Sequence, residues 1–217
     1  MDTTTNAPSR ILVLGATGPT GRLIVEQALA QGHDVTILVR SPEKAAGLAG
    51  AKIVKGDARD EKSLREALEG RDVVITALGT PVSPFKEVTL LSTATRALVK
   101  AMKEKQVTRL ICITGIGAGD SRGHGGFAFN NLILPLLLRK VYDDKNRQEA
   151  ILRESGLAWT IVRPSILNDK AGRGKARALT DLSHFNGGTI ARADVATFVL
   201  EQVRADTWTR QAPLITW

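Results

Sequence analysis

A chain of 217 residues with 43% hydrophobic content can bury the core of one domain, which argues against disorder as its resting state. Its single cysteine excludes a disulfide framework and a cysteine-rich zinc site, and no metal site is expected. A net charge of +8 admits nucleic acid, an acidic membrane surface or an anionic small molecule, but 4% aromatic content and the lack of zinc-finger or basic-zipper spacing argue against nucleic acid.

The stretch from Met1 to Ser9 is short and polar, without an apolar signal segment, so a cytoplasmic protein is expected. Residues 11–14 form a short apolar run suited to a strand covered on both faces, and Leu23, Ile24, Gln27, Ala28 and Leu29 then recur at helical spacing. Between them lies Gly15-x-x-Gly18-x-x-Gly21, with Thr17, Pro19 and Thr20 completing the turn. Gly15 suits the tight exit from the strand, Gly18 lets backbone approach a phosphate, and Gly21 lets the helix pack closely on the sheet. Free N–H groups at the helix start would face a pyrophosphate.

Residues 32–40 predict a second strand, with His33 and Asp34 in the turn before it, and Ser41-Pro42 predicts the start of a second helix. A site for NAD places an acidic residue at the end of this strand; here stands Arg40, which favours a 2′-phosphate and hence NADP(H) over NAD(H). Residues 51–57 predict a third strand that ends at Asp57, followed by Ala58. Asp57 is equally suited to accept from an adenine amino group or to cap the next turn. A short helix over 60–69 and a fourth strand over 72–79 follow, the latter ending in Ala77, Leu78 and Gly79, small enough to leave room for a ribose.

A long helix over about 88–105 leads to a fifth strand over 107–114, whose Cys112 reads as core. The glycine-rich stretch 115–126 predicts a mobile active-site loop, in which the role of His124 stays open. A helical segment from Phe127 to Glu154 is expected to bend or break at Pro135 and to stop at Ser155-Gly156. Its apolar run 132–138 is too short to span a bilayer and is expected to cover a pocket or a partner. Residues 157–164 predict a sixth strand stopped by Pro164. The basic stretch 165–188, with Lys170, Arg173, Lys175 and Arg177, reads equally as a solvated loop or a binder of phosphate or acidic substrate. A last helix starts near Arg192, and residues 212–216 predict a terminal edge strand.

The glycine turn, Arg40, Asp57, Ala77-Leu-Gly79, Lys145 and Trp159-Thr-Ile-Val-Arg-Pro164 together resemble the atypical short-chain dehydrogenase/reductase superfamily over nearly the whole chain. Within it the chain is similar to NAD(P)H-binding proteins of the flavin reductase and biliverdin reductase B type, and to NmrA-like proteins. The resemblance implies a single-domain α/β fold, Rossmann-like and doubly wound around a parallel sheet of strand order 3-2-1-4-5-6-7. It also implies a nicotinamide site beside Thr114, Lys145 and Pro164, with substrate loops over 115–130 and 165–190.

Two positions depart from the pattern: Val141 stands where the superfamily's catalytic tyrosine is common, and Gly115 where a flavin reductase of this type carries serine. Tyr142, the only tyrosine, is three residues before Lys145 and can share a helical face with it. The candidate catalytic set is therefore Lys145, Thr114 and Tyr142. Two functions are expected in turn: an NADPH-dependent reductase that passes hydride to a small conjugated acceptor such as a flavin or quinone, or a non-catalytic NADP(H) sensor of NmrA-like type. The acceptor and the oligomeric state are not legible in the sequence.

Overall fold

The computed structural model describes residues 7–217, so most of the polar leading stretch lies outside the described residues. The chain runs β1 (Arg10–Leu14), α1 (Pro19–Ala30), β2 (Asp34–Val39), β3 (Lys52–Lys55), α2 (Glu61–Ala67), β4 (Val73–Thr76), α3 (Leu90–Glu104) and β5 (Arg109–Ile113). It continues with a π-helix over Phe129–Leu138, α4 (Arg139–Glu154), β6 (Ala158–Pro164), β7 (Ile166–Asn168), β8 (Arg177–Leu179), β9 (Thr189–Ala191), α5 (Arg192–Glu201) and β10 (Leu214–Thr216).

Eight strands form one sheet in the order β3-β2-β1-β4-β5-β6-β10-β8, parallel except for the last pair. This is the doubly wound Rossmann-like α/β architecture that the sequence implied. Alternation along the strands divides the core into two layers. Ile11, Val13, Ile37 and Ile75 pack with α1 and α5 on one face. Leu12, Leu14, Leu38 and Val74 pack with α2, α3 and α4 on the other. A third cluster, with Ile116, Phe129, Leu134 and Tyr142, closes the end of the sheet beside the apolar cavity described below.

The structure corrects the expected map at four places. The helix anticipated at Ser41-Pro42 is a single 3₁₀ turn, Pro42–Ala45, because Gly47 and Gly50 both take positive φ and redirect the chain into β3. The terminal strand is not an edge: β10 pairs in parallel with β6 and antiparallel with β8. The basic segment 165–188 therefore supplies the sheet's last strand, and β7 from the same segment pairs with β9 in a separate two-stranded sheet.

The fourth place is the glycine-rich stretch, expected as a mobile loop, which several hydrogen bonds tie to its surroundings. Ala118 and Ser121 are fully buried. The Ser121 hydroxyl accepts from the Gly117 amide at 3.0 Å and donates to the Ala118 carbonyl at 2.6 Å. The Gly119 amide donates to Asn146 Oδ1 at 2.8 Å. His124 Nδ1 lies 2.9 Å from the Phe185 carbonyl and its own carbonyl accepts from the Gly187 amide at 2.7 Å, so His124 joins the two substrate-loop regions. These bonds restrain the loop at its buried serine, at Gly119 and at His124.

Candidate functional site

The glycine turn is built as the spacing predicts, but its three glycines do different work. Gly15 sits at φ +85°, and a Cβ there would lie 2.5 Å from the Ala77 carbonyl oxygen. A Cβ on Gly21 would collide with the Gly15 carbonyl oxygen. Both glycines are thus required by the packing of α1 and the end of β4 around the turn. Gly18 is different: its Cβ would meet only the Gly15 oxygen, at 3.4 Å. The fold leaves that space open, as a cradle for phosphate requires. Gly18 is also the N-cap of α1, where no side chain caps the helix and no acidic residue sits in the first turn, so the first amides of the helix have no side-chain partner.

Around this turn lies a groove of about 360 Å³ lined by Gly15, Thr17 and Gly18, by Arg40 from the end of β2, by Asp57 and Ala58 after β3, and by Ala77 to Gly79 after β4. Pro19 and Thr20 form the first turn of α1 behind it. A second hollow of about 270 Å³ opens beside the first, bounded by Thr17, Arg40, Ser41 and Lys44. Lys44 went unremarked in the sequence, although four residues from Arg40 and across one 3₁₀ turn it supplies a second cation to the same hollow.

Asp57 holds the turn after β3 while lining the groove. Its carboxylate accepts from the Arg59 amide at 2.9 Å and from the Arg59 guanidinium at 3.0 and 2.7 Å. Chiefly through the Arg59 side chain, its pKa is held down to about 2.

At the ends of β5 and β6 is a third cavity, of about 280 Å³ and mostly apolar. Thr114, Gly115, Ile116, Phe129, Tyr142, Lys145, Pro164 and Ile166 line it, so the structure brings the predicted Thr114, Tyr142, Lys145 and Pro164 together. Lys145 Nζ donates to the Thr114 carbonyl at 2.5 Å and lies 4.7 Å from the centre of the Tyr142 ring. Burial pushes the Lys145 ammonium down to about 8, which places its titration near neutral pH. Burial pushes the Tyr142 phenol the other way, above its ordinary value, and its hydroxyl makes no hydrogen bond among the described residues. A raised phenol pKa makes a poorer acid, so of the two groups Lys145 is the better matched to proton exchange at neutral pH. A Cβ at Gly115, which takes φ +149°, would fall 3.2 Å from Lys145 Nζ and 3.3 Å from the Tyr142 hydroxyl, so the missing serine would crowd both.

The floor of this cavity is held by an ion-pair network that sequence reading missed. Glu149, fully buried on α4, accepts from the Thr114 hydroxyl at 2.9 Å and from the Arg163 guanidinium at 3.0 and 2.6 Å. Arg163 also pairs with Asp120 of the glycine-rich loop. A buried arginine in the apolar strand Trp159-Thr-Ile-Val-Arg163 was the available signal, since a charge so placed must find a partner. Cys112 is buried and its thiol is pushed well above its usual range by desolvation, as expected of a core residue. Among the described residues no cluster of His, Cys, Asp and Glu could hold a metal, and no helix is long and apolar enough to cross a membrane.

The profile of an NAD(P)H-binding protein family matches residues 15–206. The photosystem II assembly factor Ycf39 of Cyanophora paradoxa is 34% identical over 156 residues, 70% of this chain and 44% of that protein. The uncharacterized sugar epimerase YhfK of Bacillus subtilis (strain 168) is 30% identical over 199 residues, 88% of this chain and 86% of that one. Among solved structures, the anaerobilin reductase ChuY of Escherichia coli O157:H7 superposes with a TM-score of 0.81 at 25% identity, covering 95% of this chain and 96% of its own. The chain spans less than half of the Ycf39 relative's length. These likenesses agree with the superfamily resemblance carried by the motifs.

Proposed function

Because the chain belongs to the NAD(P)H-binding family, with its profile matched from the glycine turn to residue 206, we propose that it is an NADPH-dependent reductase of a small conjugated acceptor of flavin or quinone type. The observation that carries this reading is the row of hollows along the carboxyl ends of the strands, from the Arg40 and Lys44 pair, past the open Gly18 cradle, to the apolar cavity with Lys145. Arg40 and Lys44 suit a 2′-phosphate, the uncapped start of α1 suits a pyrophosphate, and Lys145 suits a ribose hydroxyl. NADPH, when bound, supplies the hydride.

The chain's own part is alignment and exclusion of water. Phe129, Ile116 and Ile166 give the acceptor an apolar seat, and Thr114, fixed through Glu149, holds the carbonyl that orients Lys145. No dedicated acid is required, because the reduced form of a conjugated acceptor spreads its charge and takes a proton from water. This suits a site whose only phenol is shifted away from neutrality.

A second reading, a non-catalytic NADP(H) sensor, draws support from the exposed apolar side chains Leu132, Leu136 and Leu137 on the π-helix next to the cavity, a surface suited to a partner. The test is steady oxidation of NADPH with riboflavin or menadione as acceptor. Turnover that depends on both substrates supports the reductase; cofactor binding without turnover of any acceptor supports the sensor.

A further inference from the structure

We propose that the acceptor bears an anionic group and that a further cavity, behind Tyr142, reads it through Arg122 and Arg139. This rests on the reductase reading and specifies its substrate class. The cavity measures about 470 Å³, and Tyr142 lines both it and the apolar cavity at Lys145, so the two adjoin at that side chain. Its floor is apolar, with Gly117 packed against Leu134, Phe129 and Tyr142.

Its charged groups come from separate elements. Arg122 leaves the loop immediately after the buried Ser121, and Arg139 is the first residue of α4 after the π-helix. Neither guanidinium makes a hydrogen bond or ion pair within the described residues, whereas Arg147, Arg153 and Arg163 nearby are all paired with carboxylates. Asp143 is the cavity's single carboxylate, so the two arginines leave it net positive. Asn146 is fixed at its rim by the bond from the Gly119 amide to its Oδ1, which turns its Nδ2 donor away from that contact.

Two planar guanidinium groups over an apolar floor suit a carboxylate or phosphate attached to a ring system. The ring would occupy the cavity at Lys145 and the anionic arm would pass Tyr142. The glycine-rich loop matters here because its buried serine and the Asp120–Arg163 pair fix the root of Arg122.

The experiment is calorimetric titration of the NADP⁺-loaded protein with two matched pairs of probes: FMN against riboflavin, which differ by a phosphate, and anthraquinone-2-carboxylate against anthraquinone-2-methanol, which differ by a carboxylate. The anionic member of at least one pair is expected to bind about tenfold more tightly or better, and the pair that discriminates identifies the anion. Arg122→Gln/Arg139→Gln should erase the difference by weakening the anionic probe alone, while Lys52→Gln, an exposed charge on the far edge strand, should preserve it. Equal affinities within both pairs overturn the anion site, and if NADPH is still oxidised with riboflavin the reductase reading stands. Failure to bind any probe, with no turnover, overturns both. A circular dichroism spectrum identical to wild type is required of the double variant; if it misfolds, the wild-type comparison within each pair decides alone.

Discussion

Arg40 and Lys44 make no hydrogen bond or ion pair through their side chains among the described residues, unlike neighbouring Arg22, whose guanidinium is spent on the carbonyls of Lys44 and Ala46. Two uncommitted cations at one hollow predict tighter binding of NADP(H) than of NAD(H). Arg40→Ala should remove about 1.5–3 kcal/mol of that preference, or roughly tenfold to a hundredfold in affinity, with Lys44→Ala removing a smaller share. Equal affinities for the two cofactors in the wild type, measured by calorimetry, would dismiss the assignment.

Gly18 permits a second expectation. Since its Cβ would meet a single atom at 3.4 Å, Gly18→Val should fold and lose the cofactor, whereas Gly21→Ala should disturb the fold itself. A folded Gly18→Val protein that titrates normally with NADPH would show the turn to be only structural. For the chemistry, Tyr142→Phe should lower turnover by less than the roughly 10²-fold loss of a general acid, and Lys145→Met should lower it more. Lys145 titrates at about 8 in the folded protein, below its ordinary value of 10.5, so its ammonium is complete below pH 7 and fades as pH rises through 8. If the ammonium holds the ribose, kcat/KM falls on that limb, and the limb vanishes in Lys145→Met. A limb unchanged by the substitution assigns it to another group.

The elements that carry the site are coupled by buried polar contacts between α4 and its neighbours. Asp144, fully buried, accepts from the Leu91 amide at 2.8 Å and from the Ser92 hydroxyl at 2.5 Å, so α4 caps the start of α3, whose own cap residue Thr89 makes no capping bond. One turn and a half later Glu149 joins β5, β6 and the glycine-rich loop. Glu149→Ala leaves the buried Arg163 with the exposed Asp120 as its one carboxylate, and should cost about 3–5 kcal/mol in urea unfolding. Glu149→Met/Arg163→Met should cost much less than the sum of the single changes, since both charges leave together. Additive losses would mean that the two side chains do not act as a pair.

These couplings also mark the limit of what was legible. β1, the glycine turn and β2 announce themselves because a doubly covered strand must be apolar throughout and the turn must be glycine. β7, β8 and β9 have three residues each, too few to show a period, and are defined by pairing alone: β8 on the edge that β10 offers, β7 and β9 on each other. The glycine-rich loop misled for a related reason: Gly119, Asp120 and His124 find their partners in Asn146, Arg163 and Phe185, far along the chain.

At the scale of the whole molecule, the hollows draw on elements from both halves of the sheet. The groove takes residues from the ends of β1, β2 and β4 and the loop after β3, and the apolar cavity takes residues from the ends of β5 and β6 and from α4. A cofactor reaching from Arg40 to Lys145 would therefore restrain both halves together, with no contact confined to one. NADPH at a hundred times its Kd should stabilise the fold by about 2.7 kcal/mol. For a chain of this size that corresponds to a rise in Tm of roughly 5–11 °C. Hydrogen exchange should slow in both places at once, at residues 15–18 and 77–79 around the groove and at residues 114–116 beside Lys145. In Arg40→Ala/Lys44→Ala, NADPH at the wild-type concentration should protect both regions less but in the same proportion, because weaker binding lowers occupancy and leaves the reach of the bound molecule unchanged. Protection limited to the groove, with residues 114–116 exchanging as in the free protein, would place the nicotinamide end elsewhere and remove Lys145 from the site.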